Sequence, residues 1–248
     1  MKSNKCVILI PIYKEKISFD EYRSILNTYN LYNDKYDIFF MCDTDLNTHN
    51  YDKLFNIKYK RHNFKNASQY SFLLLNANFY KEYLQYEYML IIQPDAYIFN
   101  GNLLEYYINK GYPYIGAIFK IYGIYWDDDN ETLKTITEII DSLYVNNGSI
   151  KDLSNLINNN SIGMNGGLSL RRIDLLYHLL KNKEFALAED DEICHIMSEL
   201  HLFDNMLIKD IINFSIELAF HDIYKKYNII PFGSHGMGHY FIENIMQK

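Results

Sequence analysis

The sequence predicts an α/β fold organised around a mostly parallel sheet. Short apolar runs rich in β-branched residues alternate with stretches of helical periodicity, the pattern of strand–helix–strand units. Polar clusters fall just after several of the apolar runs, and open sheets of this kind bind ligands beyond the carboxyl ends of their strands. One long segment, residues 119–160, breaks the alternation and reads as an inserted helical lid.

Cys6–Ile12 is a continuous apolar run, the pattern of a strand covered on both faces. Ser18 followed by Glu21 gives a capping box, which starts a helix running to about Asn30. Tyr36–Cys42 reads as a second strand, ending in Asp43-Thr44-Asp45, and Asn56–Tyr59 as a weak third. Residues 68–83 carry Phe72, Leu75, Phe79 and Tyr83 at helical spacing. Tyr88–Ile92 is the strongest buried strand and leads into Gln93-Pro94-Asp95; Tyr112–Ala117 is another strand. Within the insertion, Leu133, Ile136, Ile140 and Leu143 form an amphipathic stretch, and the core pattern resumes at Ile162. The expected organisation is one domain over residues 1–248, with 119–160 as an insertion.

Composition narrows the function. At 248 residues, with 48% hydrophobic and 22% charged residues, the chain has the balance of a globular domain. A net charge of −7 argues against a nucleic-acid partner. No apolar run has the length of a transmembrane segment, and the run after Lys5 is read as a strand and not a signal peptide, because Pro11 interrupts it and no cleavage pattern follows. Cys6, Cys42 and Cys194 lack metal-type spacing and fit a reducing compartment. The 24 tyrosines read mainly as compositional bias, although a phenol ring with a polar tip also suits a sugar.

Four segments can carry chemistry. Asp95 in Gln93-Pro94-Asp95 is a carboxylate at a strand end, suited to aim at a hard cation; the same residues would also serve as a strand stop and turn. In Asn165-Gly166-Gly167, paired glycines let backbone approach a ligand closely, or simply form a tight turn. Glu189-Asp190-Asp191 precedes Ile193 and Met197 at helical spacing, so these acids occupy a helix start; one could act as a general base, and acids are favoured there in any case. Residues 231–239 hold two histidines, His235 and His239, among glycines, as in a closing loop whose imidazoles can bind a transition metal. Asp127-Asp128-Asp129 competes with Asp95 as a metal site but reads as a solvated loop.

In order along the chain, VILIPIYKE (7–15), YEYMLIIQPDAYIF (86–99), YPYIGA (112–117), IGMNGGLSLR (162–171), Glu189-Asp190, NFSIE (213–217) and PFGSHG (231–236) resemble an uncharacterised bacterial glycosyltransferase-like family related to the GT-A superfamily. The resemblance implies a GT-A-like αβα sandwich with a central mostly parallel (mixed) sheet. It implies transfer of a sugar from a nucleotide-diphosphate donor, commonly a UDP-sugar, to a hydroxyl of a glycan acceptor. It also implies inversion and assistance by a divalent metal, Mn2+ or Mg2+. Pro11, Tyr13, Glu15 and Asp43 match nucleoside-holding positions. Gln93-Pro94-Asp95 stands where the superfamily has an Asp-x-Asp metal motif, which leaves Asp95 as metal ligand and Gln93 as a ribose contact. His235 matches a late metal ligand, and Asn165, Gly166 and Gly167 line the sugar site. Asp190 matches the base and Glu189 a sugar or acceptor contact. The implied setting is surface polysaccharide synthesis in the cytoplasm or at the inner face of the membrane, with peripheral association. The missing first acid of the metal motif keeps open a non-catalytic nucleotide-sugar or glycan-binding protein. A nucleotidyltransferase is disfavoured, because Tyr13-Lys14-Glu15-Lys16 lacks the glycines of a phosphate loop.

Overall fold

The computed structural model describes residues 2–236 except 122–123, 126–129, 158–161, 182, 184, 186–187 and 217–225. Asp127, Asp128, Asp129 and His239 lie outside the described residues.

The first half follows the expected alternation. It runs β1 (Cys6–Ile12), α1 (Phe19–Tyr32), β2 (Asp37–Asp43), α2 (His49–Asp52), β3 (Lys58–His62), α3 (Ala67–Leu74), α4 (Ala77–Lys81) and β4 (Tyr88–Ile92). Every residue of β1 and β4 is buried, as their unbroken apolar sequences require. The capping box forms: the Ser18 amide donates to Glu21 Oε2 at 2.9 Å, and the Glu21 amide donates to Ser18 Oγ at 3.3 Å. Two elements differ from expectation. The third strand lies two residues later, because its sequence, Lys-Tyr-Lys-Arg-His, is that of a charged edge strand with little apolar pattern. The single helix expected over 68–83 is two, because Asn76 leaves helical geometry and its side chain accepts from the Asn78 amide, capping a new start.

Then follow β5 (Tyr97–Ile98), α5 (Leu104–Lys110), β6 (Tyr114–Ile115), β7 (Ile118–Ile121), β8 (Ile124–Tyr125), α6 (Asn130–Val145), α7 (Ile150–Ile157), β9 (Ile162–Met164), β10 (Leu168–Arg172), α8 (Ile173–Leu180), α9 (Glu189–Glu199), α10 (Ile208–Phe214) and β11 (Gly233–Ser234). The main sheet has the order β3-β2-β1-β4-β10-β6, and it is flanked by helices. β3, β2, β1 and β4 are mutually parallel, and β10 is antiparallel to both β4 and β6. This is the predicted mixed, mostly parallel sheet. The strand expected over 112–117 contributes only Tyr114 and Ile115 to it. The chain then crosses into a small sheet of order β8-β7-β9.

The segment 119–160, expected as a helical insertion, is not wholly helical: β7 and β8 precede α6 and α7. β7 pairs with β9, the helices contact α10 and the turn before it, and Asp141 and Tyr144 meet Lys226 and Tyr227. The Ile150 amide donates to the Met206 carbonyl at 2.9 Å, and Ile140, Leu143, Ile150 and Leu153 are buried. Among the described residues no helix is long and apolar enough to cross a membrane.

Candidate functional site

A pocket of about 560 Å³ opens at the carboxyl ends of β1 and β2. It is lined by Pro11, Tyr13, Glu15, Asp43 and Gln93, together with Asp45, Phe64, Lys65, Asn66 and Tyr70. Parallel strands β1, β2 and β3 all end on this side, so their following loops meet there. The loop after β1 is pinned on two sides. Lys14 pairs with Glu21 of α1 at 2.8 Å, and the Tyr51 hydroxyl donates to the Lys14 carbonyl. Tyr13 is left two-thirds exposed at the mouth, its ring free of the core. Asp43 turns its carboxylate onto backbone: Oδ1 accepts from the Asp45 amide and Oδ2 from the Phe64 amide, both at 2.9 Å. These amides, led by that of Asp45, hold its carboxyl below the ordinary value.

Gln93, Asp95, Gly167 and His235 meet beside this pocket. The meeting depends on the far end of the chain. β11 pairs antiparallel with β5, Gly233 opposite Ile98 and Ser234 opposite Tyr97, which carries His235 back to the turn after β4. α1 anchors that segment from behind, with Ser24 Oγ donating to the Ala96 carbonyl and Asn27 Nδ2 to the Ile98 carbonyl. His235 Nε2 then lies 2.9 Å from Gln93 Oε1 and 3.4 Å from Asp95 Oδ1. Either tautomer of the imidazole places Nε2 within reach of both groups, and which of them it bonds depends on where its proton sits. Burial pushes the Asp95 carboxyl up, but the His235 imidazole and the Lys14 charge outweigh it and hold it below its ordinary value.

The Asn165–Gly167 turn closes this side. The Asn165 amide donates to the Ala117 carbonyl, and the Gln93 amide to the Gly167 carbonyl, each at 2.7 Å. Asn165 Oδ1 accepts from the Gly167 amide at 2.6 Å. The two glycines are needed for close approach. A Cβ on Gly167 would lie 2.3 Å from His235 Nε2, and one on Gly166 would lie 2.9 Å from Glu189 Oε2 and 3.0 Å from Arg171 Nη2.

Beneath Gly166 lies a group that no motif reading identified as functional. Arg171 is fully buried on β10, and its guanidinium contacts the Glu189 carboxylate at the start of α9. It donates from Nε to Ser169 Oγ at 2.9 Å, from Nη1 to the Tyr80 hydroxyl at 3.2 Å and from Nη2 to the Gly166 carbonyl at 3.1 Å. It also lies over the Tyr114 ring, 5.2 Å from its centroid. Burial, reinforced by Asp190, pushes the Glu189 carboxyl up to about 7 against the pull of Arg171. Burial opposes the Arg171 charge, yet Glu189 keeps the guanidinium well above its ordinary value. Arginine does not deprotonate in proteins, and Glu189 is the one carboxylate in contact with it among the described residues, so the two are held as an ion pair. Glu189 is thus buried and turned to the interior, while Asp190, next on α9, is half-buried. Burial, reinforced by Asp191, pushes the Asp190 carboxyl up.

The predicted residues therefore divide into three groups. Pro11, Tyr13, Glu15, Asp43 and Gln93 share one pocket; Gln93, Asp95, Gly167 and His235 meet at its edge, with Asn165 bonded to the Gly167 amide; Gly166, Glu189 and Asp190 cluster around Arg171. As a metal centre, the middle group offers one carboxylate, one imidazole and one amide oxygen. Among the described residues no group of three or more His, Cys, Asp or Glu is gathered. That donor set suits an ion which takes its remaining ligands from a bound phosphate and water, and not an all-protein cage.

Sequence comparison matches residues 53–235 to the family described as protein of unknown function DUF5672. The chain belongs to DUF5672. The DUF5672 match takes in Gln93, Asp95, Asn165–Gly167, Arg171, Glu189, Asp190 and His235, and begins after β1 and β2. Comparison with curated proteins finds no match. Among solved structures, this DUF5672 chain is similar to A197 from STIV, with 13% identity, 77% of this chain and 76% of that one covered, and a TM-score of 0.36. It is similar to core-mannan synthase A (CmsA/Ktr4) from Aspergillus fumigatus in an Mn/GDP form, at 10% identity, with 82% and 66% covered and a TM-score of 0.40. The mannosyltransferase Ktr4p from S. cerevisiae, in complex with GDP, matches at 10% identity, with 84% and 65% covered and a TM-score of 0.44. The DUF5672 chain spans about two thirds of the length of these two enzymes.

Proposed function

We propose that this chain is a GT-A-like glycosyltransferase that binds a nucleotide-sugar at this rim and transfers the sugar, with inversion, to a glycan hydroxyl. The observation that carries the reading is the shared pocket. Five residues assigned to the nucleotide by resemblance, drawn from three separate strand ends, line one cavity next to Asp95 and His235. The cavity has a size suited to a small-molecule ligand.

In this reading the nucleoside lies against Pro11, Tyr13 and Asp43, with Glu15 and Gln93 at its ribose. The wall is acidic: Glu15, Asp43 and Asp45 line it, and the lining Lys65 is engaged by Asp45 at 3.2 Å. A diphosphate is repelled there unless a cation neutralises it. Asp95 and His235 would hold a divalent ion, His235 as the neutral imidazole with Nε2 unprotonated. The ion would supply charge neutralisation of the diphosphate leaving group. Asn165, Gly166 and Gly167 form the wall at the sugar. Asp190, whose raised pKa makes it a stronger proton acceptor, takes the proton of the attacking hydroxyl as the new C–O bond forms and the sugar–phosphate bond breaks.

A second reading, a protein that binds the nucleotide-sugar without turning it over, is favoured by Gln93 standing where a second acid would strengthen metal binding. One experiment addresses both. Uridine and guanosine diphosphates are titrated calorimetrically with and without Mn2+, and transfer is measured for wild type and Asp190→Asn. The expected outcome is Mn2+-dependent binding in both proteins and turnover lowered by roughly 100- to 10,000-fold in the variant. Binding without transfer or donor hydrolysis selects the second reading. Unchanged turnover removes Asp190 from its role, and absence of binding with Mn2+ present rejects the nucleotide site.

A further inference from the structure

We infer that the buried Arg171–Glu189 ion pair is a positioning device that holds the first turn of α9, and with it Asp190, in register with the Asn165–Gly167 turn. The inference rests on the glycosyltransferase reading for its consequence, although the device itself is read from geometry alone.

Further along, α9 packs on β9, where Cys194 Sγ accepts from the Met164 amide. Ala188 at its N-cap offers no side-chain bond, so the start of the helix lacks the usual anchor. Glu189 supplies one by reaching inward. Its carboxylate meets Arg171 on the central antiparallel strand, and the backbone of Gly166 sits directly on the pair. Arg171 is itself fixed by four further partners: Ser169, Tyr80, the Gly166 carbonyl and the Tyr114 ring. One rigid, fork-shaped group therefore ties together a strand, the glycine turn and the helix start. Asp190 is bonded to Glu189, so its place on the helix follows from that anchor, and its own carboxylate accepts from the Asp191 amide at 3.1 Å. Glu189 is 4% exposed and turned to the interior, which makes it a positioning residue acting through Asp190 and not a contact to sugar or acceptor. A buried ion pair is a poor source of net stability, so its presence calls for a geometric reason.

The test compares Glu189→Gln with wild type, and then the same change on an Asp190→Asn background. Either single change at the pair leaves one buried charge alone. If Glu189→Gln does not fold, the charge-free double variant Arg171→Met/Glu189→Gln replaces it. The expected result is kcat lowered by about 100-fold, as for a slight misplacement of a reacting group. Donor affinity should change by less than about twofold, and no further loss should appear when the change is added to Asp190→Asn. A matching rise in Kd or KM, or losses that multiply on the Asp190→Asn background, would show direct contact with substrate and overturn the inference. Unchanged kcat with lowered Tm would overturn it as well. A readout independent of activity is hydrogen exchange at the bonded amides of Asn165, Gly167, Asp191 and Glu192, expected to be faster in the variant. If the wild type neither binds nor transfers, the functional reading fails, and this exchange decides the device by itself: unchanged exchange overturns it.

Discussion

Pro11, Tyr13, Glu15 and Asp43 reach the site from the ends of adjacent parallel strands, each placed by its own strand and the helix that follows. Gly167, Arg171, Glu189 and His235 reach the opposite side through contacts between segments far apart in sequence, and with almost no spare room. The first side is shaped by topology, since parallel strands end together. The second is shaped by fit: two missing Cβ atoms, one buried ion pair and one strand pairing from the end of the described chain. A change on the strand-end side should alter ligand contacts and spare the fold, whereas a change on the fitted side should disturb fold and site together.

The largest effect is expected at Arg171. Arg171→Met leaves the Glu189 carboxylate buried without its partner, and breaking a buried pair in this way costs about 3–5 kcal/mol. Urea unfolding should show this loss, and the paired change Arg171→Met/Glu189→Gln should recover most of it. Failure to recover would mean that packing around Tyr80 and Tyr114, not charge, dominates on this side. Gly167→Ala comes next. Its methyl would overlap His235 Nε2, and overpacking of this kind costs about 1–3 kcal/mol. The chain relieves the clash most readily by moving His235 away from Gln93 and Asp95. Mn2+-dependent binding of a nucleoside diphosphate should weaken, while the metal-independent binding of the free nucleoside in the strand-end pocket should hardly change. Equal losses for both ligands would break the distinction between the two sides.

The same division explains what the sequence could show. β1 and β4 announce themselves because strands buried on both faces must be apolar throughout, and the residues just beyond them were legible as the rim of the sheet for that reason, while a role for them at a site came only from the resemblance. The residues Phe64, Lys65, Asn66 and Tyr70 were not. The edge strand before them carries Lys58, Lys60 and Arg61 in place of an apolar pattern, so its end was placed too early and the pocket wall that follows it was missed. The meeting of Asp95 with His235 was suggested by resemblance; its cause, the β5–β11 pairing, is two residues long on each strand and has no sequence signature. Arg171 was readable in principle. It follows Leu168, Ser169 and Leu170 in a strand central to the sheet, and a charge placed there demands a buried partner. Nothing local in the sequence names that partner, because Glu189 is separated from it by a whole helix.

The smallest effect belongs to the strand-end side, at the helix that braces it. Ser18→Ala removes the cap of α1 and should cost about 1 kcal/mol, with ligand binding nearly unchanged, because the loop after β1 keeps its bond from Tyr51. The Glu21 half of the cap adds a pH dependence of definite sign. Burial pushes the Glu21 carboxyl up, but the Lys14 ammonium and the Ser18 amide outweigh it and set it below its ordinary value in the folded chain. The folded state therefore favours the ionised form. Its contribution is present in full above the ordinary carboxylate value and is lost as the pH falls through the lowered one. Asp43, held low by two backbone amides, changes in the same direction. Acid titration of stability should accordingly show a smaller loss below about pH 4.5 in Glu21→Gln than in wild type, and the difference between them should vanish at low pH. A difference that grows as pH falls would mean that Glu21 is not ionised in the fold, and that the brace of the strand-end side rests on packing and not on this charge.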